Sequence, residues 1–200
     1  MKEKLLFQGD SITDCNRKSK NKGLGDGYVY LISKELENCE IINRGISGNR
    51  ISNLKKRWVR DAININPDIL TILIGINDVW HMHVFRKRFS IDKFEKTYRE
   101  LLDLMLAKNP NLKIILMTPF NLEMGVYRKA WNKEFNQIMD VCHKLVIEYR
   151  LHFINLHETI QIASYTTKPD ELLYDGVHPT PVGHEIIKKE WIQMYKQIKK

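Results

Sequence analysis

Cysteine is scarce in this chain: Cys15, Cys39 and Cys142 are the only three among 200 residues. An odd, scattered set does not make a disulfide framework, and none of the spacings suits a metal. Reduced thiols in a cytoplasmic setting are therefore expected, and no metal site is. Long apolar runs are missing as well. No stretch approaches the roughly 20 residues needed to cross a bilayer. The apolar run after Met1-Lys2-Glu3-Lys4 is too short for the hydrophobic region of a signal peptide. No membrane partner is expected. Internal repeats and low-complexity linkers are also lacking, so residues 1–200 are expected to form one domain.

Acidic residues are outnumbered, 24 to 32, which gives a net charge of +8. Lys18-Ser19-Lys20-Asn21-Lys22, Lys55-Lys56-Arg57 and Arg86-Lys87-Arg88 are the densest basic patches. They fall in separate segments, with no nucleic-acid motif and no ordered aromatic pattern. Solvated surface is the better reading, and no nucleic-acid partner is expected. Nothing in the sequence supports a role in attracting acidic substrates, although nothing excludes one.

What the chain does have is regular alternation. Leu5-Leu6-Phe7, Glu40-Ile41-Ile42-Asn43, Ile69 to Ile74, Lys113 to Met117 and His152 to Asn155 read as strands. Between them run helical stripes: Tyr28, Leu31, Ile32 and Leu36; Leu54 and Trp58; Phe94, Tyr98, Leu101, Leu102 and Met105. A longer stripe, Trp131, Phe135, Ile138, Cys142, Leu145 and Tyr149, reads as burial on the sheet rather than a dimer seam. Thr180 and Pro181 suit the cap and first position of a last helix, with Ile187, Trp191, Met194 and Ile198 facing inward. The pattern predicts a three-layer α/β/α sandwich around a five-stranded parallel sheet in flavodoxin-like order 2-1-3-4-5. The region from about His81 to Ser90 is the expected long surface excursion.

Gly9-Asp10-Ser11-Ile12-Thr13 directly follows the first strand, where open α/β sheets bind ligands. A serine hydroxyl needs a base to become a nucleophile. Of the seven histidines, His178 is preferred because Asp175 stands three residues earlier and Pro179 follows. Such a loop can hold a carboxylate against one imidazole nitrogen while the other faces Ser11. A plain surface turn explains Asp175 and His178 equally well when the pair is taken alone. Acyl transfer also needs donors aimed at a developing oxyanion. The Ser11 amide, the Gly48 amide and the Asn77 side chain each follow a successive parallel strand. Taken singly, Gly48 is as easily a hinge and Asn77 a turn former.

Together these blocks resemble the SGNH (GDSL-like) hydrolase superfamily. The resemblance maps onto Ser11, Gly48, Asn77 and His178, with Asp175 as the acid, and covers nearly the whole chain. It implies an acyl-serine intermediate on Ser11, hydrolysed by water that His178 activates, with no metal or other cofactor. Gly9 to Cys15, Gly45 to Asn49, Ile74 to Trp80, Met117 to Phe120 and Val177 to Pro179 are more narrowly similar to the intracellular bacterial acetylxylan esterases. That similarity implies a small acetylated sugar or oligosaccharide as substrate, and some such enzymes form homo-oligomers. Two departures stand out: Tyr174 occupies a position where a tryptophan is expected, and the segment from Cys15 to Gly25 is short and basic.

Other signals are weaker. Trp80 suits the wall of a small acyl pocket or a stacking surface for a sugar, but also ordinary packing. His81 and His83 lack evident carboxylate partners and read as exposed. Cys15 reads as a small buried residue, and Asp10 and Asp14 as shaping the serine turn without moving protons. Two alternatives accompany the acetylesterase reading. One is a short-chain acyl esterase, thioesterase or lysophospholipase on the same scaffold. The other is a non-catalytic module that binds glycan or nucleic acid, against which the intact Ser, Asn, Asp and His set argues.

Overall fold

A computed structural model of the chain describes residues 2–200. Five parallel strands, β1 (Lys4–Gly9), β2 (Glu40–Asn43), β3 (Ile69–Leu73), β4 (Lys113–Met117) and β5 (His152–Ile154), lie in the order β2-β1-β3-β4-β5. This is the expected 2-1-3-4-5 order. Leu5, Leu6 and Phe7 have no solvent-exposed surface, because helices cover both faces of the sheet.

The helices are α1 (Ser11–Asp14), α2 (Tyr28–Glu35), α3 (Ile51–Trp58), α4 (Ile76–Phe85), α5 (Ile91–Lys108), α6 (Asn132–Tyr149), α7 (Leu156–Ala163), α8 (Pro169–Leu172) and α9 (Pro181–Ile198). Alternation along β1 separates the outer layers. Phe7 meets Tyr28 of α2 and Trp191 of α9, with ring centroids 5.9 and 5.1 Å apart. Its neighbour Gln8 points the other way, where its side chain donates to the Asp61 carbonyl beyond α3 at 2.6 Å. On that second face α3 packs on α5 and α5 on α6. The three layers are thus α2 and α9, the sheet, and α3, α5 and α6.

The apolar stripes predicted for α5 and α6 are buried, from Phe94 to Met105 and from Trp131 to Leu145, and Tyr149 is half-buried. Thr180 caps α9 by accepting from the Gly183 amide at 3.2 Å, and Pro181 opens the helix.

Several expectations need correction. His81 to Phe85 is no loop: it completes α4, and only residues 86–90 form an excursion. The longer irregular span runs from Thr118 to Arg128, and α7 and α8 have no counterpart in the sequence reading. Cys15 is half-buried and takes a left-handed backbone (φ 36°) that ends α1. Its thiol lies 3.3 Å from Asp26 Oδ1 and 3.4 Å from His184 Nε2. The largest correction concerns Lys55-Lys56-Arg57: the lysines are exposed, but Arg57 is buried.

Candidate active site

Ser11 opens α1 at the carboxyl end of β1. The approach to it requires a glycine: a Cβ on Gly9 would lie 2.2 Å from Thr13 Oγ1 and 2.6 Å from the Leu73 carbonyl oxygen. Asp10 caps the turn by accepting from the Ile12 amide at 3.1 Å. Its other carboxylate oxygen is buried with no partner. Burial pushes the Asp10 carboxyl up to about 7, against the Ile12 hydrogen bond and the nearby His178.

Ser11 Oγ lies 3.0 Å from His178 Nε2, and His178 Nδ1 lies 2.7 Å from Asp175 Oδ2. A carboxylate can only accept, so Nδ1 carries the hydrogen and Nε2 offers its lone pair to Ser11. The second Asp175 oxygen accepts from the amides of Val177 (3.0 Å) and His178 (2.8 Å). Burial alone would raise the Asp175 carboxyl; the bonds from His178 and Val177 outweigh it and hold the group below the ordinary value. The Asp175 bond lifts His178 above the usual histidine value, against partial burial. The loop carrying both residues is closed at its base, where the Tyr174 amide donates to the His178 carbonyl at 2.8 Å. It is also clamped from the side, by Leu122 N to Gly176 O and Val126 N to Asp175 O, both 2.9 Å.

The donors come from two further strand ends. Gly48 lies in the loop after β2, with φ at 76°, a conformation that favours glycine. That loop is tied to the serine turn: the Ser47 amide and hydroxyl donate to Asp14 Oδ2 at 2.9 and 3.0 Å, and the Ile46 amide donates to the Gly9 carbonyl at 3.1 Å. Asn77, in the first turn of α4, donates its side-chain amide to the Asn49 carbonyl at 3.2 Å. Among the described residues, the Ser11 and Gly48 amides have no protein acceptor within hydrogen-bond distance. Both are free to meet an anionic oxygen.

Sequence reasoning missed the group that ties these parts together. Arg57 donates to Gln8 Oε1 (2.7 Å), the Gly9 carbonyl (3.2 Å), Asn49 Oδ1 (2.9 Å) and Asp61 Oδ2 (3.3 Å). One guanidinium thus links the end of β1, the Gly48–Asn49 loop and the helix layer. A signal was present. Arg57 stands three residues after Leu54, on the inward face of α3, and Asp61 follows at i+4.

Trp80 presents its ring to His178, with centroids 5.8 Å apart in an edge arrangement, and lies 5.8 Å from the Trp131 ring. His83 stacks on Trp131 at 5.4 Å and bonds Glu134 at 2.9 Å, so it is half-buried and has a carboxylate partner after all. His81 is half-buried against Phe85. Among the described residues, no group of three or more His, Cys, Asp or Glu side chains is placed to hold a metal. Nor is any helix among them long and apolar enough to cross a membrane.

Comparison with known proteins agrees with this geometry. Residues 7–186 match the model of the GDSL-like lipase/acylhydrolase family. The chain is 36% identical to an acetylxylan esterase of Geobacillus stearothermophilus, over 96% of its own length and 93% of the relative's. A solved structure described as a GDSL-like lipase from Parabacteroides merdae superposes with a TM-score of 0.92 at 31% identity, covering 96% and 95% of the two chains. A catalytic mutant of the Geobacillus esterase superposes at 0.85 with 34% identity, over 96% and 93%. Solved catalytic mutants of that esterase replace a serine, an aspartate, or the histidine three positions after that aspartate.

Proposed function

The chain belongs to the GDSL-like lipase/acylhydrolase family and is a carboxylic ester hydrolase, and we propose that it removes O-acetyl groups from carbohydrates, acetylated xylo-oligosaccharides first among them. The observation that carries this reading is the unbroken line of hydrogen bonds from Asp175 through His178 to Ser11.

In the first half-reaction Ser11 Oγ bonds to the acetyl carbonyl carbon while its proton passes to His178 Nε2. Asp175 stabilises the imidazolium that forms. The carbonyl oxygen, now anionic, takes hydrogen bonds from the Ser11 and Gly48 amides and from Asn77 Nδ2. Collapse breaks the bond to the sugar oxygen, which leaves with the proton from Nε2. In the second half-reaction water gives its oxygen to the acyl carbon and a proton to Nε2. Acetate then departs and Ser11 regains its hydrogen.

Restriction to acetyl is read from Trp80, whose bulky ring stands edge-on beside His178. The sugar assignment is supported by the 36% identity to an acetylxylan esterase over nearly the whole chain. A cytoplasmic location and homo-oligomeric assembly belong to the same reading. The three unbridged cysteines support the first, and sedimentation of the purified protein tests the second.

The direct experiment is acetate release from a panel of acetylated xylo-oligosaccharides and other acetylated sugars, with Ser11→Ala as control. Release by the native protein that disappears in a normally folded Ser11→Ala supports the reading. Undiminished release by Ser11→Ala overturns the nucleophile assignment.

A further inference from the structure

Several basic side chains on this protein's folded surface have acidic partners. Lys55 pairs with Glu100, Arg99 with Glu95 and Glu148, Lys144 with Glu95, Lys188 with Glu35 and Glu185, and Lys199 with Glu3. A cavity of about 660 Å³ between the start of α3, the end of α4 and the start of α5 is lined by Arg50, Arg86, Lys87, Arg88 and Lys93. Among the described residues, none of these five cations has a carboxylate within ion-pair distance.

The lining contains one carboxyl group, Asp78. It is buried, and its Oδ2 is taken by the Ile51 amide at 3.1 Å. Burial raises it to about 7, against that hydrogen bond and Arg50, so it is only partly ionised near neutral pH. Arg50 Nε is buried with no acceptor. Five cations around one cavity, none with a carboxylate partner, suit an anion as their counterion.

The cavity's position says where that anion sits. None of Ser11, Asp175 or His178 lines it. Two of its lining residues nevertheless adjoin that site along the chain: Arg50 follows Asn49, whose carbonyl holds Asn77, and Asp78 follows Asn77. Neighbouring Cα atoms are about 3.8 Å apart; Asp78 is one residue from Asn77, and Arg50 is two residues from Gly48. We propose that this basic cavity is a subsite for an anionic substituent, a carboxylate or a phosphate ester, on the molecule whose acyl ester lies at Ser11. The preferred substrate is then an acylated sugar that also carries an acidic group. The proposal builds on the acetylesterase reading and narrows its substrate class.

Binding separates the two. Ser11→Ala protein leaves a bound ester uncleaved, so dissociation constants can be measured by calorimetry. Three probes are needed: an acetylated xylo-oligosaccharide, the same compound with a uronic acid branch, and an acetylated sugar phosphate. At low salt at least one acidic probe should bind roughly 10-fold or more tighter than the neutral one. Tighter binding of the uronate identifies the anion as a carboxylate, and tighter binding of the phosphate as a phosphate ester. Adding Lys87→Gln, Arg88→Gln and Lys93→Gln, all exposed positions, should remove the preference and leave the neutral probe's affinity within about twofold. Raising the salt to about 0.5 M should shrink the preference too. Equal affinity for neutral and acidic probes overturns the proposal, and so does a parallel loss for both in the triple variant. Binding of nucleic acid with no discrimination among the small probes also overturns it. If the native protein releases acetate from none of the sugars, the acetylesterase reading fails, while the binding comparison still decides the cavity.

Discussion

Asn77 donates its side-chain amide to the Asn49 carbonyl at 3.2 Å, which holds the carboxamide in one orientation before any substrate arrives. A primary amide has two hydrogens, and this contact occupies one. The other is left for the oxyanion. Asn77→Ala is expected to cut kcat by about 10²–10³ with little change in KM, the usual cost of losing one such donor. Asn77→Asp should be at least as harmful, because it replaces a donor with a charge that repels the intermediate. Steady-state kinetics on a small acetyl ester checks both, and near-native kcat in Asn77→Ala would remove the residue from the oxyanion site.

The pH profile follows from the pair beside Ser11. His178 accepts a proton only when neutral, and Asp175 lifts its pKa above the ordinary 6.5. As pH falls through that raised value the base is lost, so the acid limb of kcat/KM should have its midpoint above 6.5. Asp175→Asn should move the midpoint down and lower kcat by about 10⁴ through loss of the required tautomer. A midpoint that stays in place in Asp175→Asn would mean that another group controls the limb.

Arg57 acts through the residues it holds, since it touches Gly9 and Asn49 rather than the reacting atoms. Arg57→Lys keeps the charge but cannot reproduce a fork that makes four contacts. Expected results are a fall in kcat of roughly 10- to 10²-fold with KM nearly constant, and a stability loss of about 1–3 kcal/mol. The loss stays moderate because Asp61 keeps Arg60 as a partner, at 2.7 and 2.9 Å. Unfolding curves beside kinetics test the assignment: a variant that loses stability but retains full kcat when folded would leave Arg57 only a structural role.

Trp80→Ala opens the space beside His178. The native protein should lose activity steeply as the acyl chain lengthens beyond acetyl, and the variant should lose it less steeply. A chain-length series on simple esters measures this directly. Native preference for long chains would favour a lipid-like substrate on the same scaffold.

His184 makes a separate prediction about stability. It is buried; its Nδ1 accepts from the Tyr28 amide at 3.2 Å, and desolvation depresses its pKa to about 4. The folded state therefore keeps the neutral ring while the unfolded chain protonates below about 6.5. The stability His184 contributes is full above 6.5 and is lost as pH falls from 6.5 toward 4, by up to about 3 kcal/mol. His184→Asn should lose less stability between pH 7 and pH 5 than the native chain, as read from urea midpoints.

The sequence was legible where one physical effect dominates. The continuous apolar runs of β1, β3 and β4 have no solvent-facing alternative, and the Thr180–Pro181 pair has few uses other than starting a helix. Ser11, Asp175 and His178 could be picked out because a serine nucleophile needs a base and an orienting carboxylate, and because their blocks resemble a known family's. Arg57 was hidden by its neighbours: after Lys55 and Lys56 it looks like surface, and only its phase relative to Leu54 and Trp58 reveals burial. His81 to Phe85 misled for the opposite reason. Mixed His, Met, Val and Phe without a clear stripe resemble a loop, yet Asn77 and Asp78 anchor the start of α4 and the helix continues through them. The pairing of His83 with Glu134 spans 51 positions and leaves no local trace.

Ser11 and His178 are 167 positions apart in the chain. During synthesis the nucleophile leaves the ribosome long before its base, so a nascent chain remains catalytically silent until the His178 loop has emerged and docked. The same separation makes hydrolysis a stringent reporter of refolding. Collapse and helix formation can be complete while Ser11 and His178 have yet to meet, and contacts of such long range form slowly. Recovered activity therefore dates the closing of the fold, not its beginning.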